Sequence, residues 1–472
     1  MEIEFLGATG TVTGSKYLVR SATGQVLVDC GLFQGVKDWR LRNRQPLPFD
    51  PASIDAVVLT HAHLDHTGYL PVLVRDGFRG PVFCTAATRD LASIILLDSA
   101  HLQEEDAAHA NRHGYSRHHP ALPLYTHADA ERAIDRLRTV ALGEAFEPGG
   151  GMHAVLHAAG HILGAATVRM ADGETSVVFS GDLGRPGDPL ILPPAPAPAA
   201  DYVVVESTYG NRRHGDGDPA AALADAVRRT AARGGTVLIP AFAVARAQTI
   251  LFELHRLARA GRIPDLPLFL DSPMASRATD VFLRHADELR VGGAAFREAL
   301  AKVQVVERVP ESKRIDHLPY PRIIVSASGM ATAGRVLHHL KALAPDPRNT
   351  IFLAGFQAPG TRGADMAAGV GEVKIHGEYV PVRAEVVHLD GFSSHADYEE
   401  ILAWLGGLAT APRAVFVTHG EPAAADALRR RIEERFGWPC RVPGLGERVV
   451  LSASAPPAPS GKPALAAAME TV

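Results

Sequence analysis

Short β-branched apolar runs alternate along this chain with longer stretches whose apolar positions recur every three to four residues. In the first half, the runs at 2–6, 16–20, 25–29, 55–60, 81–84, 153–157, 166–170 and 175–180 predict strands. The spacing over 86–110 predicts an amphipathic helix, and the Ala-, Arg- and Glu-rich stretch 127–141 predicts another. Beyond Glu206 the pattern becomes regular α/β: helix 217–233, strand 236–240, helix 244–261, strand 267–270, helix 274–287, strand 322–326, helix 331–343 and strand 350–354. The last part returns to the earlier flavour, with strand 384–388, helix 397–407, strand 413–418 and helix 421–436. The class is α/β, and 472 residues imply two domains or one elaborated domain.

Three segments break the pattern. Pro189–Ala200 reads as a stiff, Pro-rich loop, residues 456–472 as a disordered Ala/Pro-rich tail, and 101–127 carries six histidines: His101, His109, His113, His118, His119 and His127. Their irregular spacing, with no carboxylate in a fixed pattern, favours a solvated helical face over a metal role. A net charge of −4 supplies no global attraction to nucleic acid, so a polyanionic substrate needs a local basic patch or bound metal. Cys30, Cys84 and Cys440 are too far apart for a disulfide framework or a thiolate zinc site, which favours a reducing cytoplasm. No run is long and apolar enough to span a membrane, and strand-like residues begin at once without a signal-peptide pattern.

The densest chemistry is His61-Ala62-His63-Leu64-Asp65-His66, directly after the apolar run 56–60. Residues two apart on an extended segment point the same way, so His61 and His63 can face one metal while Asp65 and His66 turn toward a second. Further ligand types recur at strand ends: Asp29 in Val28-Asp29-Cys30-Gly31, His161 between Gly160 and Gly164, and Asp182 in Ser180-Gly181-Asp182. Each alone is weak, since Gly-Asp after a strand is more often a turn.

The set, in this order, resembles the metallo-β-lactamase superfamily. That resemblance implies a four-layer αββα sandwich with a two-metal site at the edge of its two sheets. By it, His61, His63 and His161 hold one Zn2+, Asp65 and His66 hold the other, Asp182 bridges them, and Asp29 supports a ligand from behind. Glu206 in Val205-Glu206-Ser207-Thr208, His395 in Ser394-His395-Ala396-Asp397 and His419 in Thr418-His419-Gly420 resemble motifs A, B and C of the β-CASP nucleases. Asp271-Ser272-Pro273-Met274-Ala275 and Ser326-Ala327-Ser328-Gly329-Met330 resemble recurrent segments of the inserted α/β cassette. The expected division is 1–208 with 395–455 for the metallo-β-lactamase domain and 209–394 for the β-CASP domain. A histidine at motif C is the mark of the RNA-acting branch, where it joins the second zinc.

The resemblance therefore implies a zinc-dependent ribonuclease of single-stranded RNA, endonucleolytic rather than processive, with two Zn2+ per chain. His395, held by Glu206, is the expected proton donor, because an imidazole carries a proton near neutrality. Asp65 is grouped with them as catalytic. Asp397 is expected to cap the helix after it, leaving His395 available for chemistry. The amides of Ser328 and Gly329, read as opening a helix, are an expected phosphate site, with an ordinary helix cap as the equal alternative. Arg212, Arg213, His214, Arg335 and Arg362 are expected as a basic rim, and the Pro-rich loop as a cleft wall or a spacer. Family members often pair, so a homodimer is carried as an expectation. The rival readings are a hydrolase of single-stranded DNA or of small esters and thioesters. The sequence leaves the RNA target, endo against exo action, and zinc against manganese open.

Overall fold

The computed structural model describes residues 1–453 apart from 115, 117, 216, 356, 358 and 359; the Ala/Pro-rich tail lies outside the described residues. Two seven-stranded sheets among the described residues face each other. The first runs, edge to edge, Arg448–Val450, Glu2–Phe5, Tyr17–Arg20, Gln25–Val28, Ala56–Val58, Val82–Cys84 and Leu137–Thr139. The second runs Cys440–Arg441, Ala414–Val417, Tyr202–Val205, Ser176–Phe179, Ala166–Ala171, Met152–Ala158 and Ala145–Gly149. Ile3, Phe5, Val28 and Val58 from one sheet meet Leu156, Val168, Val177 and Val204 from the other. Because side chains alternate along a strand, Val57 and Leu59 point the other way, under the helix Leu70–Arg75. On the second sheet's outer face, Val203, Val205, Val415 and Val417 pack under Tyr398–Leu405 and Pro422–Phe436. The layering is the expected αββα.

A third, all-parallel sheet carries the chain between Tyr202–Val205 and Ala414–Val417. Its order is Val303–Val305, Leu268–Asp271, Arg322–Ser326, Thr236–Pro240, Thr350–Ala354 and Glu385–Leu389. Both faces are covered, as a parallel sheet requires. Val237, Ile239, Ile323 and Phe352 face the helices Pro219–Ala232 and Arg246–Arg259. Leu238, Ile324, Ile351 and Leu353 face Val336–Leu343. A separate core joins this unit to the sandwich: Leu91 and Ile95 of the helix Ala86–His113 meet Ala278, Val281 and Phe282 of Pro273–Arg284.

Several expectations are corrected. The helix read over 127–141 stops at Ile134, and Leu137–Thr139 is an edge strand, where Leu137 is buried and Thr139 pairs with Cys84. The helix read from 331 starts at Val336, because Ala331 and Gly334 both have positive φ, 52° and 79°, which an α-helix excludes. The strand Ala145–Gly149 escaped notice because it ends in Pro-Gly, and the hairpin Glu372–Ile375/Glu378–Pro381 because charged Glu372, Lys374 and Glu378 leave each short strand only one or two buried apolar positions. The six histidines of 101–127 are all exposed, and two make i,i+4 contacts, His101 with Glu105 and His127 with Glu131, as a solvated face does.

Candidate metal centre

The strand Ala56–Val58 ends where the chain must turn, and the turn is held from below by a carboxylate. Asp29 adopts a left-handed conformation, φ 57°, which Asp tolerates better than most residues. Its Oδ1 accepts from the Thr60 amide at 2.7 Å, and its Oδ2 accepts from the Thr60 hydroxyl at 2.8 Å. The same Oδ2 lies 2.7 Å from His66 Nδ1, so Asp29 fixes the imidazole from behind and turns Nε2 forward. Behind Asp29 the chain runs so close to the motif that a Cβ on Gly31 would stand 1.6 Å from the Asp65 carbonyl oxygen. Only glycine fits there.

Four nitrogen and oxygen atoms then converge. His63 Nδ1 lies 3.1 Å from His61 Nε2 and 3.3 Å from His161 Nε2, and Asp182 Oδ2 lies 3.5 and 3.7 Å from those two Nε2 atoms. A second group forms around the other oxygen of Asp182. His66 Nε2 is 3.4 Å from Asp182 Oδ1, 3.2 Å from His419 Nε2 and 3.7 Å from Asp65 Oδ2, while His419 Nε2 is 3.3 Å from Asp65 Oδ2. A tetrahedral zinc with bonds of about 2.0–2.1 Å holds its ligand atoms roughly 3.3 Å apart, so both cages have the size of one such ion. Asp182 Oδ1 is buried and has no hydrogen-bond partner among the described residues, a costly arrangement for a carboxylate unless a cation faces it. Each of the two groups can hold a metal, and Asp182 contributes one oxygen to each.

The two cages differ in protonation: the first holds neutral imidazoles, while His66 and His419 of the second are raised, against burial, by the carboxylates around them and must give up a proton on taking a metal. Burial keeps His61 and His161 well below the ordinary imidazole value and His63 at about 4, leaving all three as neutral donors. Burial pushes the same way at His66, but Asp182, Asp29 and Asp65 outweigh it and raise that ring well above its ordinary value. Burial alone would raise Asp182; His419, His66 and His61 instead hold it well below the usual carboxylate range.

His395 stands at the margin of this group. Its Nδ1 is 3.3 Å from Glu206 Oε1 and 3.9 Å from Asp182 Oδ2, and its side chain keeps 20% of its exposure. Glu206 is buried at the end of Tyr202–Val205, accepting from the Leu183 and Thr208 amides. Burial opposes a charge on His395, but Glu206 followed by Asp182 and Asp65 raises it above its ordinary value. Asp397 caps Tyr398–Leu405 through the Glu399 and Glu400 amides, as expected.

Some expected residues lie elsewhere in role. His214 is buried; its Nε2 donates to the His395 carbonyl and its amide to Asp397, so it props the His395 loop rather than lining a basic rim. Arg335 is tied to Asp271 and to the Val306 and Glu307 carbonyls, and Arg362 to the carbonyls of Lys374, Ala331 and Thr332. Arg212 and Arg213 are exposed. Ser328 and Gly329 open a loop, not a helix; Ser328 Oγ accepts from the Thr332 amide and lies 3.0 Å from its hydroxyl, so no helix terminus offers its amides to a phosphate there. The Pro-rich loop packs tightly beside the His161 turn: a Cβ on Gly160, φ 72°, would stand 2.6 Å from Pro194 N, and Leu190 and Ile191 are buried where sandwich and third sheet meet. Thr60 and Thr208 went unread, although each adjoins a motif residue; Thr208 Oγ1 lies 3.2 Å from His419 Nδ1.

Residues 9–80 match the metallo-beta-lactamase superfamily, 247–366 the Beta-Casp domain, and 379–443 the Zn-dependent metallo-hydrolase RNA specificity domain. The chain is 40% identical over 445 residues to ribonuclease TTHA0252 of Thermus thermophilus, covering 92% of this chain and 96% of the relative. It is 34% identical over 409 residues to the transcription termination factor FttA of Pyrococcus abyssi, covering 83% of this chain and 61% of that protein's length. A crystal structure of a protein of unknown function from Enterococcus faecalis shares the fold, with a TM-score of 0.56 at 14% identity, covering 95% and 99% of the two chains.

Proposed function

This chain belongs to the β-CASP ribonuclease family of the metallo-β-lactamase superfamily, and from that premise we propose that it is a zinc-dependent ribonuclease cutting single-stranded RNA endonucleolytically. The observation that carries the reading is the pair of ligand cages sharing Asp182, with the Glu206–His395 couple at their open margin. In this reading His61, His63, His161 and Asp182 hold one ion, and Asp65, His66, His419 and Asp182 the other. Bound there, two divalent ions of the zinc class would supply a strong nucleophile at neutral pH and neutralise the phosphate.

The chain's own residues do the rest. Glu206 keeps His395 protonated and fixes its Nδ1, so that Nε2 can give a proton to the leaving oxygen. Leu183 and Thr208, by donating to Glu206, keep that carboxylate in place. Asp29 and Thr60 hold the His66 ring against rotation. His61, His66, His161, Asp182 and His419 are buried, and His63, Asp65 and His395 are partly exposed, which supports approach of the phosphate over those three. A flexible strand can bring its backbone to such a margin, whereas a stiff duplex cannot bend into it. The first two sheets support assigning 1–208 with 395–455 to the catalytic domain and 209–394 to the cassette.

The test is cleavage of an end-labelled single-stranded RNA and its DNA counterpart by zinc-loaded protein, with Asp65→Ala as the control. RNA-selective cutting into internal fragments, lost in the variant, is the expected result. Equal cutting of the DNA, or none of either strand by protein carrying two zincs, rejects the reading.

A further inference from the structure

The strands Gln25–Val28, Ala56–Val58, Val82–Cys84 and Leu137–Thr139 are mutually parallel, so the residues entering these strands gather at one end of the sheet and those leaving them at the other. The metal-ligating turn leaves Ala56–Val58. Arg79 precedes Val82–Cys84 and Arg136 directly precedes Leu137–Thr139, at the far end. There Arg75, Arg79, Arg132, Arg136 and Arg138 line a cavity of about 380 Å³ together with one carboxylate, Asp135. That volume lies in the range of pockets that take a small ligand, about 300–1,000 Å³.

Three of the guanidinium groups, those of Arg79, Arg136 and Arg138, are held without being neutralised. Arg79 donates to the Val74 and Phe78 carbonyls, Arg136 to the Arg79 carbonyl, and Arg138 to those of Asp135 and Leu137. None of these three pairs with a carboxylate among the described residues. Arg75 and Arg132 do, with Asp76 and Asp129, but both remain substantially exposed. Carbonyl anchoring through one or two N–H groups fixes each fork and leaves further donors, the arrangement that suits phosphate oxygens. In a chain of net charge −4 such a concentration of positive charge is local.

We propose that this arginine pocket, at the opposite end of the sheet from the metals, binds the phosphodiester backbone of RNA and anchors long substrates outside the catalytic cleft. The proposal rests on the ribonuclease reading. It predicts affinity that grows with RNA length and a salt dependence beyond what the cleft alone gives, because each phosphate neutralised releases counterions.

The test is binding, kept separate from cleavage: anisotropy of a labelled 30-nucleotide single-stranded RNA on zinc-loaded His395→Ala protein, with and without Arg79→Ala plus Arg138→Ala. The expected result is about ten-fold weaker binding and a salt slope shallower by roughly 1.4, near 0.7 for each phosphate no longer neutralised. Photo-crosslinking of the same RNA to peptides 74–80 and 132–138 of the unsubstituted pocket is the companion readout, independent of any effect of substitution on folding. Unchanged affinity and slope, or no crosslink to those peptides, overturns it. So does a substitution that leaves RNA binding alone but changes the oligomeric state, which would mark the pocket as a protein interface. Failure of the ribonuclease reading would show instead as uncut RNA with wild-type protein.

Discussion

At the scale of single residues, the difference between ligand and support decides what a substitution does. Asp29 touches no metal cage atom except through the His66 ring, 2.7 Å away. Replacing it by Asn leaves a side chain of the same shape that no longer favours a proton on His66 Nδ1. Zinc titration of Asp29→Asn is expected to show affinity for the second ion weakened about 10- to 100-fold; unchanged affinity would remove Asp29 from the centre. On the proposed reading His395 is the opposite case, a residue of the chemistry and not of the two cages. His395→Ala is expected to lose at least about 100-fold in kcat while elemental analysis still finds two zincs. Glu206 acts through it. Because Glu206 raises His395 despite burial, the acid form persists to higher pH, and removing that charge lets it titrate earlier. The alkaline limb of the kcat/KM profile should therefore move to lower pH in Glu206→Gln, and an unmoved limb would contradict the proton-donor role.

At the scale of elements, the cassette is tied together by a polar cluster that its α/β pattern does not announce. His339, fully buried on Val336–Leu343, lies with Nε2 2.8 Å from Asp271 Oδ2 and Nδ1 2.6 Å from Asp316 Oδ1. Arg335 donates to the other Asp271 oxygen at 2.6 Å. Burial works against a charged ring, but the two aspartates raise His339 from 6.5 to about 9. A group raised on folding contributes stability that is whole below its unfolded value and fades as pH rises through the folded one. The cluster's contribution, on the order of 3 kcal/mol, is thus complete below pH 6.5 and lost through pH 9. Thermal melts across pH 6 to 10 should show Tm falling over that window, and His339→Gln should be less stable at pH 6 with a flatter profile. A wild-type Tm that does not fall between those values would count against it. The helix–strand pattern gave this region its layers, because burial repeats every 3.6 residues on a helix and every two on a strand. It did not give Ala331 and Gly334 their positive φ, which delay the helix by five residues from the expected start at 331 to Val336.

For the whole molecule, the proposed reading makes the relation of the sandwich to the inserted sheet the control on access. The interface that buries Leu91, Ile95, Leu190, Ala278 and Phe282 closes one side of the His161 loop. A stable hairpin duplex should accordingly be cut at least about ten-fold more slowly than the same sequence unpaired, measured by parallel time courses; equal rates would refute the narrow approach. The order of motifs along the chain was enough to determine the fold class and to propose a ligand set, because each candidate ligand sits at the end of a strand whose apolar run is visible. Asp29, His61, His63, Asp65, His66, His161, Asp182, Glu206, His395 and His419 all come together in the folded chain, from segments up to 390 residues apart, which the sequence could only imply by resemblance. What tertiary structure alone decided was how charges are used. Arg335 and His214 read as part of a free basic rim, yet a carboxylate from a distant segment pairs with Arg335 and the His395 loop takes up His214, while Arg362 is anchored on carbonyls. Arg79, Arg136 and Arg138, anchored on carbonyls with no carboxylate partner among the described residues, lie in stretches with no motif. Their charge becomes a feature only when two helices and an edge strand bring them to one cavity. Periodicity is a local property and survives in the sequence; whether a charge is paired depends on neighbours in space, and only the fold supplies those.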